Sequence, residues 1–509
     1  MTAKSSFWRK ISYIVGIAVL LILLFQFGHP PTRGGANVKS SPGGILAQKQ
    51  KEYKLTQTEL GDIDPTSETI KLATLGLRGV AALLLWEKSN DYKMKEDWAK
   101  YEATLNQIAV VQPHFISVWI HLAWNLSYNV SVEFDNYHDR YHWVIEGIKY
   151  LQRGISKNDN DPRLLWETGW TISQKIGRAD EHKQYRRLFK EDDEFHGSSR
   201  RDDEYRDNWL VGKTWYDKCI EVAEATGKRV KGKGPLIYNS SPAMCLMNYA
   251  EAIEEEGTFG QVAERAWRNA AKGWEAFGKK PIPDPDDNQL ILANLEQREA
   301  DSKKLVQELN DLEPGLRDKI YKKKYDALTP EQREAFDLFK ASPEKLTEKQ
   351  QPLLSQAQAQ LEISYEEIAK QVPMDKRAKA LQLAADALKN DIIAVDIRRS
   401  REVVNYSYWK LRAEVEQYDE AAAARKDIFK GTQLYRREAD LVGARNLFNE
   451  GFLKWRHVLD KYPALIEDSL TGDDLMDVIK IYREILQRMG EPFPKPFILQ
   501  DIIDKYDKK

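Results

Sequence analysis

Residues 113–142 read PHFISVWIHLAWNLSYNVSVEFDNYHDRYH. Four of the chain's eight histidines fall in this stretch, among carboxylates and aromatic rings. Two readings compete. In the first, His138 and His142 are four apart and share a helix face. Asp135 lies three residues before His138, and His121 sits on the preceding helix. A histidine pair at i, i+4 with a carboxylate suits zinc or iron. The order HExxH of zinc hydrolases is missing, and spacing sets no further ligand. In the second reading, Tyr137, Tyr141 and Trp143 pack between two helical hairpins. The histidines then stack on aromatics or cap backbone groups. The pattern around the stretch favours the second reading.

That pattern is helical nearly everywhere. Alternating Val/Ile/Thr runs bounded by tight turns are scarce, so the chain is expected to be all-α. The helices also repeat loosely. With Pro113 closing one unit, Leu105 and Ile108 fall on the inner positions of the helix before it. In the next unit Trp119, Leu122, Ala123 and Leu126 fall on positions 4, 7, 8 and 11. A second instance is GFLKWRHVLDKYP, with Gly451, Trp455, Val458 and Pro463 on positions 20, 24, 27 and 32. A third runs from Leu246 through Ala263, Trp267 and Ala270 with a one-residue slip.

In these residues the chain resembles the tetratricopeptide-like helical-repeat superfamily, in two blocks covering about half its length. The resemblance implies a superhelix of helix pairs with a peptide-binding surface, and it implies no chemistry of its own. The stretch YNVSVEFDNY is also similar to stretches in uncharacterised envelope repeat proteins of planctomycete-type bacteria.

The N-terminus carries Lys4, Arg9 and Lys10, followed by the uncharged run Ile11–Gly28. Eighteen residues of helix cover about 27 Å, enough to span a bilayer. The run is longer than a signal peptide's apolar region and ends without a small-x-small cleavage site. An uncleaved single-pass anchor over residues 1–28 is expected, with the N-terminus cytoplasmic and the bulk of the chain on the periplasmic side. Residues 29–63 read as a flexible linker. Helical-repeat domain I is expected over 64–281 and domain II over 395–509. Between them, 282–394 is a charged, coiled-coil-like helical region. There Leu295, Leu305, Leu309 and Leu312 sit near heptad spacing, and Thr329, Pro330 and Gln332 form a helix-start signature.

Charge is nearly balanced, 77 Lys+Arg against 79 Asp+Glu, which argues against a nucleic-acid partner. The two cysteines, Cys219 and Cys245, form no CxxC or CxxCH. A disulfide between them and two separate buried thiols are both compatible with the sequence. Gly212–Thr214 (GKT) lacks the upstream glycine and strand of a phosphate loop. Gly227–Pro235 (GKRVKGKGP) reads as a solvated connector, and Lys190–Asp207 as an exposed mixed-charge insertion. The sequons at Asn125 and Asn129 fall inside a helix. No nucleophile–base arrangement appears.

The expected function is therefore a membrane-anchored helical-repeat scaffold of the cell envelope. It mediates protein–protein interactions, is not an enzyme and needs no cofactor. The alternative is a metal-dependent enzyme or metal-binding protein centred on His121, Asp135, His138 and His142.

Overall fold

Amphipathic runs separated by capping residues produce a chain built from helices. The computed structural model describes residues 78–197, 204–284 and 289–507, with isolated positions at Gly16, Val19, Gly44, Ile45 and Gln48. The expected anchor, Ile11–Gly28, and the linker 29–63 lie outside the described residues apart from those positions. Among the described residues, no helix is long and apolar enough to cross a membrane. The fold is all-α. Its described strands are two two-residue pieces, Ile282–Pro283 and Gln289–Leu290, paired antiparallel. Two compact units meet in sequence between Leu164 and Leu165.

In the first unit, α1 (Arg78–Met94) pairs with α2 (Trp98–Val111), and α3 (Ile116–Trp124) pairs with α4 (Tyr137–Lys157). Asp97 caps α2 by accepting from the Lys100 amide, and Asn136 caps α4 by accepting from His138. The axis of α3 continues into a π-helical segment, Asn125–Val130. Leu105, Ile108, Trp119, Leu122 and Ala123 are buried, while Pro113 is half-buried.

Close approach of α3 and α4 rests on two glycines. A Cβ on Gly147 would sit 2.1 Å from Ser127 Oγ and 2.8 Å from the Ala123 carbonyl oxygen. A Cβ on Gly154 would sit 2.9 Å from the Trp119 ring. That ring also faces Tyr150, with centroids 5.0 Å apart, and its Nε1 donates to the Pro113 carbonyl at 2.8 Å. Tyr150 in turn donates to the Leu105 carbonyl at 2.6 Å. A 34-residue repeat would put the small partner of Ala123 twelve residues on, at Asp135. The structure puts it at Gly147, because the π segment and a following 3₁₀ turn (Ser131–Glu133) lengthen the hairpin.

The second unit begins in α5 (Pro162–Trp170), which runs into a π-helical segment, Thr171–Lys175. Then come α6 (His182–Glu191), α7 (Asn208–Thr226), α8 (Pro235–Glu255) and α9 (Gln261–Lys279). Cys219 and Cys245 are buried free thiols.

The region expected to be charged and coiled-coil-like contains α10 (Leu295–Asp311), α11 (Leu316–Asp326), α12 (Pro330–Ala341), α13 (Gln351–Leu361), α14 (Tyr365–Gln371) and α15 (Met374–Val403). Helices α10 and α15 form a hairpin, and α11–α14 fill its far end around two small cores. The Thr329–Gln332 capping box is formed on both sides. Ser342 repeats the sequence signal but starts only a 3₁₀ turn, with no side-chain cap.

The chain then returns through α16 (Tyr406–Glu416), α17 (Asp419–Gln433), α18 (Leu441–Lys461), α19 (Ser469–Met489) and α20 (Gln500–Tyr506). Gly451 abuts Ile428 and the Ala424 carbonyl of α17, and Trp455 and Val458 are buried. Pro463 is exposed and precedes a four-residue helix, Ala464–Glu467.

Trp119 and Gly154 form one packing unit, which a double-mutant cycle measures. Trp119→Ala is expected to cost about 3–5 kcal/mol, transfer plus cavity. Gly154→Ala is expected to cost about 1–3 kcal/mol by overpacking. In the Trp119→Ala background Gly154→Ala should cost clearly less, since the ring it strikes is gone. Hydrogen exchange over residues 98–157 reads both effects; strict additivity would contradict this packing.

Candidate functional site

Three of the histidines of residues 113–142 lie against separate aromatic rings. His121 lies at the surface of α3 with its ring against Trp86 and Trp124, at 5.0 and 6.2 Å between centroids. Partial burial there, with the nearby charge of Lys93, holds its imidazole below the ordinary value. His138 lies tilted against Tyr137, and His142 meets the edge of Trp143. Asp135 is exposed in the turn before α4. Among the described residues, no three His, Cys, Asp or Glu side chains are placed to share a metal ion. Asn125 is buried and accepts from Lys93 and Asn129, so this sequon is structural.

The second unit contains a different constellation. The last turns of α8 read AEAIEEEG and hold Glu251, Glu254, Glu255 and Glu256. Arginines from three other helices converge on them. Arg412 of α16 meets Glu251 at 2.9 Å and Asp474 of α19 at 3.2 Å. Arg425 of α17 holds Glu416 through a two-pronged contact and lies 3.9 Å from Glu254. Arg186 of α6 pairs with Asp207 at 2.8 Å and Glu256 at 2.7 Å. Lys190 adds a bond to Glu256 at 2.9 Å. Trp267 Nε1 donates to Glu254 at 3.0 Å.

Environment separates these carboxyls. Burial pushes Glu254 up to about 7, with Arg425 pulling the other way and the Glu416 charge adding to the rise. Glu255 is raised by burial and by Glu251. Against its own burial, Glu256 is held below the ordinary carboxylate range by Arg186 and Lys190.

Beside this network a groove of about 980 Å³ opens between α6, α7, α8 and the end of α17. Six lining residues are basic: Arg178, Lys183, Arg186, Arg187, Lys190 and Arg437. Three are acidic, Glu251, Glu255 and Glu256, so the lining carries a formal excess of 6 − 3 = 3 positive charges. Two departures from α-helix deliver the outer arginines. Arg178 follows the Thr171–Lys175 π segment, whose carbonyls at Ile172 and Ser173 accept from Asn208 Nδ2 at 3.2 and 3.1 Å. Arg437 lies in another π segment, Leu434–Glu438, at the end of α17. Such segments often accompany functional sites.

Two lining side chains are left with an unused donor. Trp209 is 2% exposed and Asn248 is 4% exposed, yet Trp209 Nε1 and Asn248 Nδ2 have no hydrogen-bond partner among the described residues. The orientation of Asn248 is set by Arg178, whose Nη2 donates to its Oδ1 at 2.6 Å. Flipping the amide would set NH₂ against guanidinium. Buried donors without acceptors are rare and costly. Here they border a groove whose charge favours an anionic acceptor.

This site is not legible in the sequence, where Lys190–Asp207 reads as an exposed insertion. The structure buries Arg206 and Asp207, because Arg206 ties Asp193, Lys190 and Gly197 together and Asp207 caps α7 while pairing with Arg186. The Gly227–Pro235 loop is largely exposed but sinks Val230 and lays Lys233 over Trp166, 3.8 Å from the ring centroid. Gly212–Thr214 is mid-helix in α7, where Gly212 packs on Ser173 and the Gly169 carbonyl. The legible signal was the acid run 254–256 on an otherwise apolar helix. No protein-family model matches the chain, and no curated protein or solved structure matches it either.

The raised carboxyl of Glu254 links stability to pH. Its folded value lies above its unfolded one, so the neutral form is favoured on folding. That contribution is complete below the ordinary value near 4.5 and is lost as pH rises towards 7. Glu254→Gln keeps an acceptor for Trp267 and removes the titration. Denaturation across pH 4.5–7.5 should show a decline of about 1–3 kcal/mol in wild type and a flatter profile in the variant. Parallel profiles would mean that Glu254 titrates normally.

Proposed function

We propose that this chain is a non-enzymatic, tetratricopeptide-like scaffold of the cell envelope. Ile11–Gly28 anchors it in the membrane with the N-terminus cytoplasmic, and the helical bulk works on the far side. Its groove between α6, α7, α8 and α17 receives an acidic segment of a partner protein. Close contact of a glycine with a facing backbone supports a helix-pair architecture at two hairpins, Ala123 with Gly147 and Ala424 with Gly451, with both pairs spaced more widely than a 34-residue unit sets them. The observation that carries the binding role is the pair of buried, unpartnered donors, Trp209 Nε1 and Asn248 Nδ2, in a groove of net positive charge. Both nitrogens are shielded from solvent, so a carboxylate-bearing segment would reach them only as these side chains turn toward the groove. The metal-centre alternative through His121, Asp135, His138 and His142 has no comparable observation in its favour.

The test is photo-crosslinking of the full chain in native membranes. A photoreactive residue at Gln433, which lines the groove, should trap a discrete partner. Arg178→Glu should reduce that adduct by about tenfold or more, because it reverses a charge beside the donors. The same adduct from an exposed control position, Glu348, or its persistence in Arg178→Glu, would remove the groove from the proposal. A reporter fused after Lys509 that stays cytoplasmic would remove the envelope placement.

A further inference from the structure

Helix α15 has two apolar seams, and only one of them is used. Ala380, Leu383, Ala387, Ala394 and Ile397 are buried along the α10 side. Nearly opposite runs a second series: Met374, Ala378, Leu381, Ala385, Leu388, Ile392, Val395. Its spacing alternates four and three residues, which is the seam of a coiled coil. All seven are exposed, with Met374 at 78%, Leu388 at 52% and Ile392 at 54%. A helix with apolar residues on two sides is ordinarily covered on both, and an extended exposed seam marks an interaction site.

We propose that α15 pairs with α15 of a second copy of this chain, antiparallel, about a two-fold axis level with Leu383. The residues flanking the seam decide both partner and direction. In this register Met374 lies against Ile392 of the second copy, Ala378 against its Leu388, and Leu381 against its Ala385. Two of these three layers set a large side chain on an alanine. The flanks then bring Asp375 to Lys389 and Arg377 to Asp391, each twice by symmetry, while Gln382 meets Gln382.

Arrangements slid toward the helix C-terminus, and the parallel one, bring like charges together. Sliding one heptad in one direction sets Asp375 against Asp396 and Arg377 against Arg398. Sliding further sets Lys389 against Lys389 and Asp391 against Asp391. Parallel pairing in register sets Asp391 against Asp396 and stacks Arg399 on Arg399. Like charges across a seam suppress those alternatives. The self-complementarity of one surface patch is what a two-fold interface requires. The described helices leave this seam open, and its charge pattern complements itself in the register above.

Cross-linking of the purified full chain tests the register. Cys219 and Cys245 are buried and do not compete. Gln382→Cys with a short bismaleimide should yield a covalent dimer, because the two copies meet at that position. Arg399→Cys should yield none, since antiparallel pairing places the two residues far apart. Lys389→Asp should lower dimer yield about tenfold, and adding Asp375→Lys should restore it. Circular dichroism establishes that each variant is folded. A monomeric wild type at tens of micromolar overturns the proposal, and so does cross-linking at Arg399 instead of Gln382. Failure of the Asp375→Lys, Lys389→Asp double variant to recover the dimer while folded also overturns it.

Discussion

The clamp of arginines on the end of α8 is the constraint on which the second unit depends. Glu251, Glu254 and Glu256 occupy successive faces of the same turns. Glu254 is buried, Glu251 half-buried and Glu256 exposed, and cations meet them from several directions. Arg186, Arg412 and Arg425 arrive from α6, α16 and α17, elements far apart in sequence. Buried ion pairs add little net stability over apolar packing, because desolvation offsets the Coulomb gain. Removing one partner is costly, since it leaves an uncompensated charge. The clamp therefore acts mainly on specificity. It admits one arrangement of α8 against its neighbours and excludes slips that would leave a carboxylate alone.

That arrangement also shapes the groove. Arg186 and Lys190 are occupied by Glu256 and Asp207, so their charges hold the wall together. Arg178 and Arg437 enter from π-helical segments, where widened turns shift side chains off the regular helical face. Asn208 donates to two carbonyls of one such segment, and a Cβ on Gly177 would fall 2.4 Å from the Trp209 ring. The same close packing that brings Trp209 to the groove leaves its indole N–H without a partner among the described residues. A site is thus assembled where local helical regularity gives way.

The arm formed by α10 and α15 follows different rules. Its inner seam is alanine-rich, so the helices approach closely and the charges lie along the flanks. Arg401 grips Glu296, and Arg398 pairs with Glu299. This polar ladder fixes the register within the hairpin. It leaves the outer seam of α15 apolar.

Helical class, the scarcity of strand among the described residues, the capping box at Thr329 and the burial of Trp119, Trp267 and Trp455 were all legible in the sequence. Each depends on periodicity or on residues within a turn of one another. The pairing of Ala123 with Gly147 was not legible, because a π segment shifts the second helix by more than any repeat spacing allows. Arg206 and Asp207 looked solvated because charge alone marks a residue for the surface; only partners from elsewhere in the chain make burial favourable. His121, His138 and His142 share a plausible spacing, but each ring lies tilted or edge-on against a different aromatic neighbour. What the sequence determined by itself was local: which segments are helical and which faces are apolar. Which faces meet, and which donors are left without acceptors, was decided by tertiary structure, because those outcomes depend on distances between residues that the chain keeps far apart.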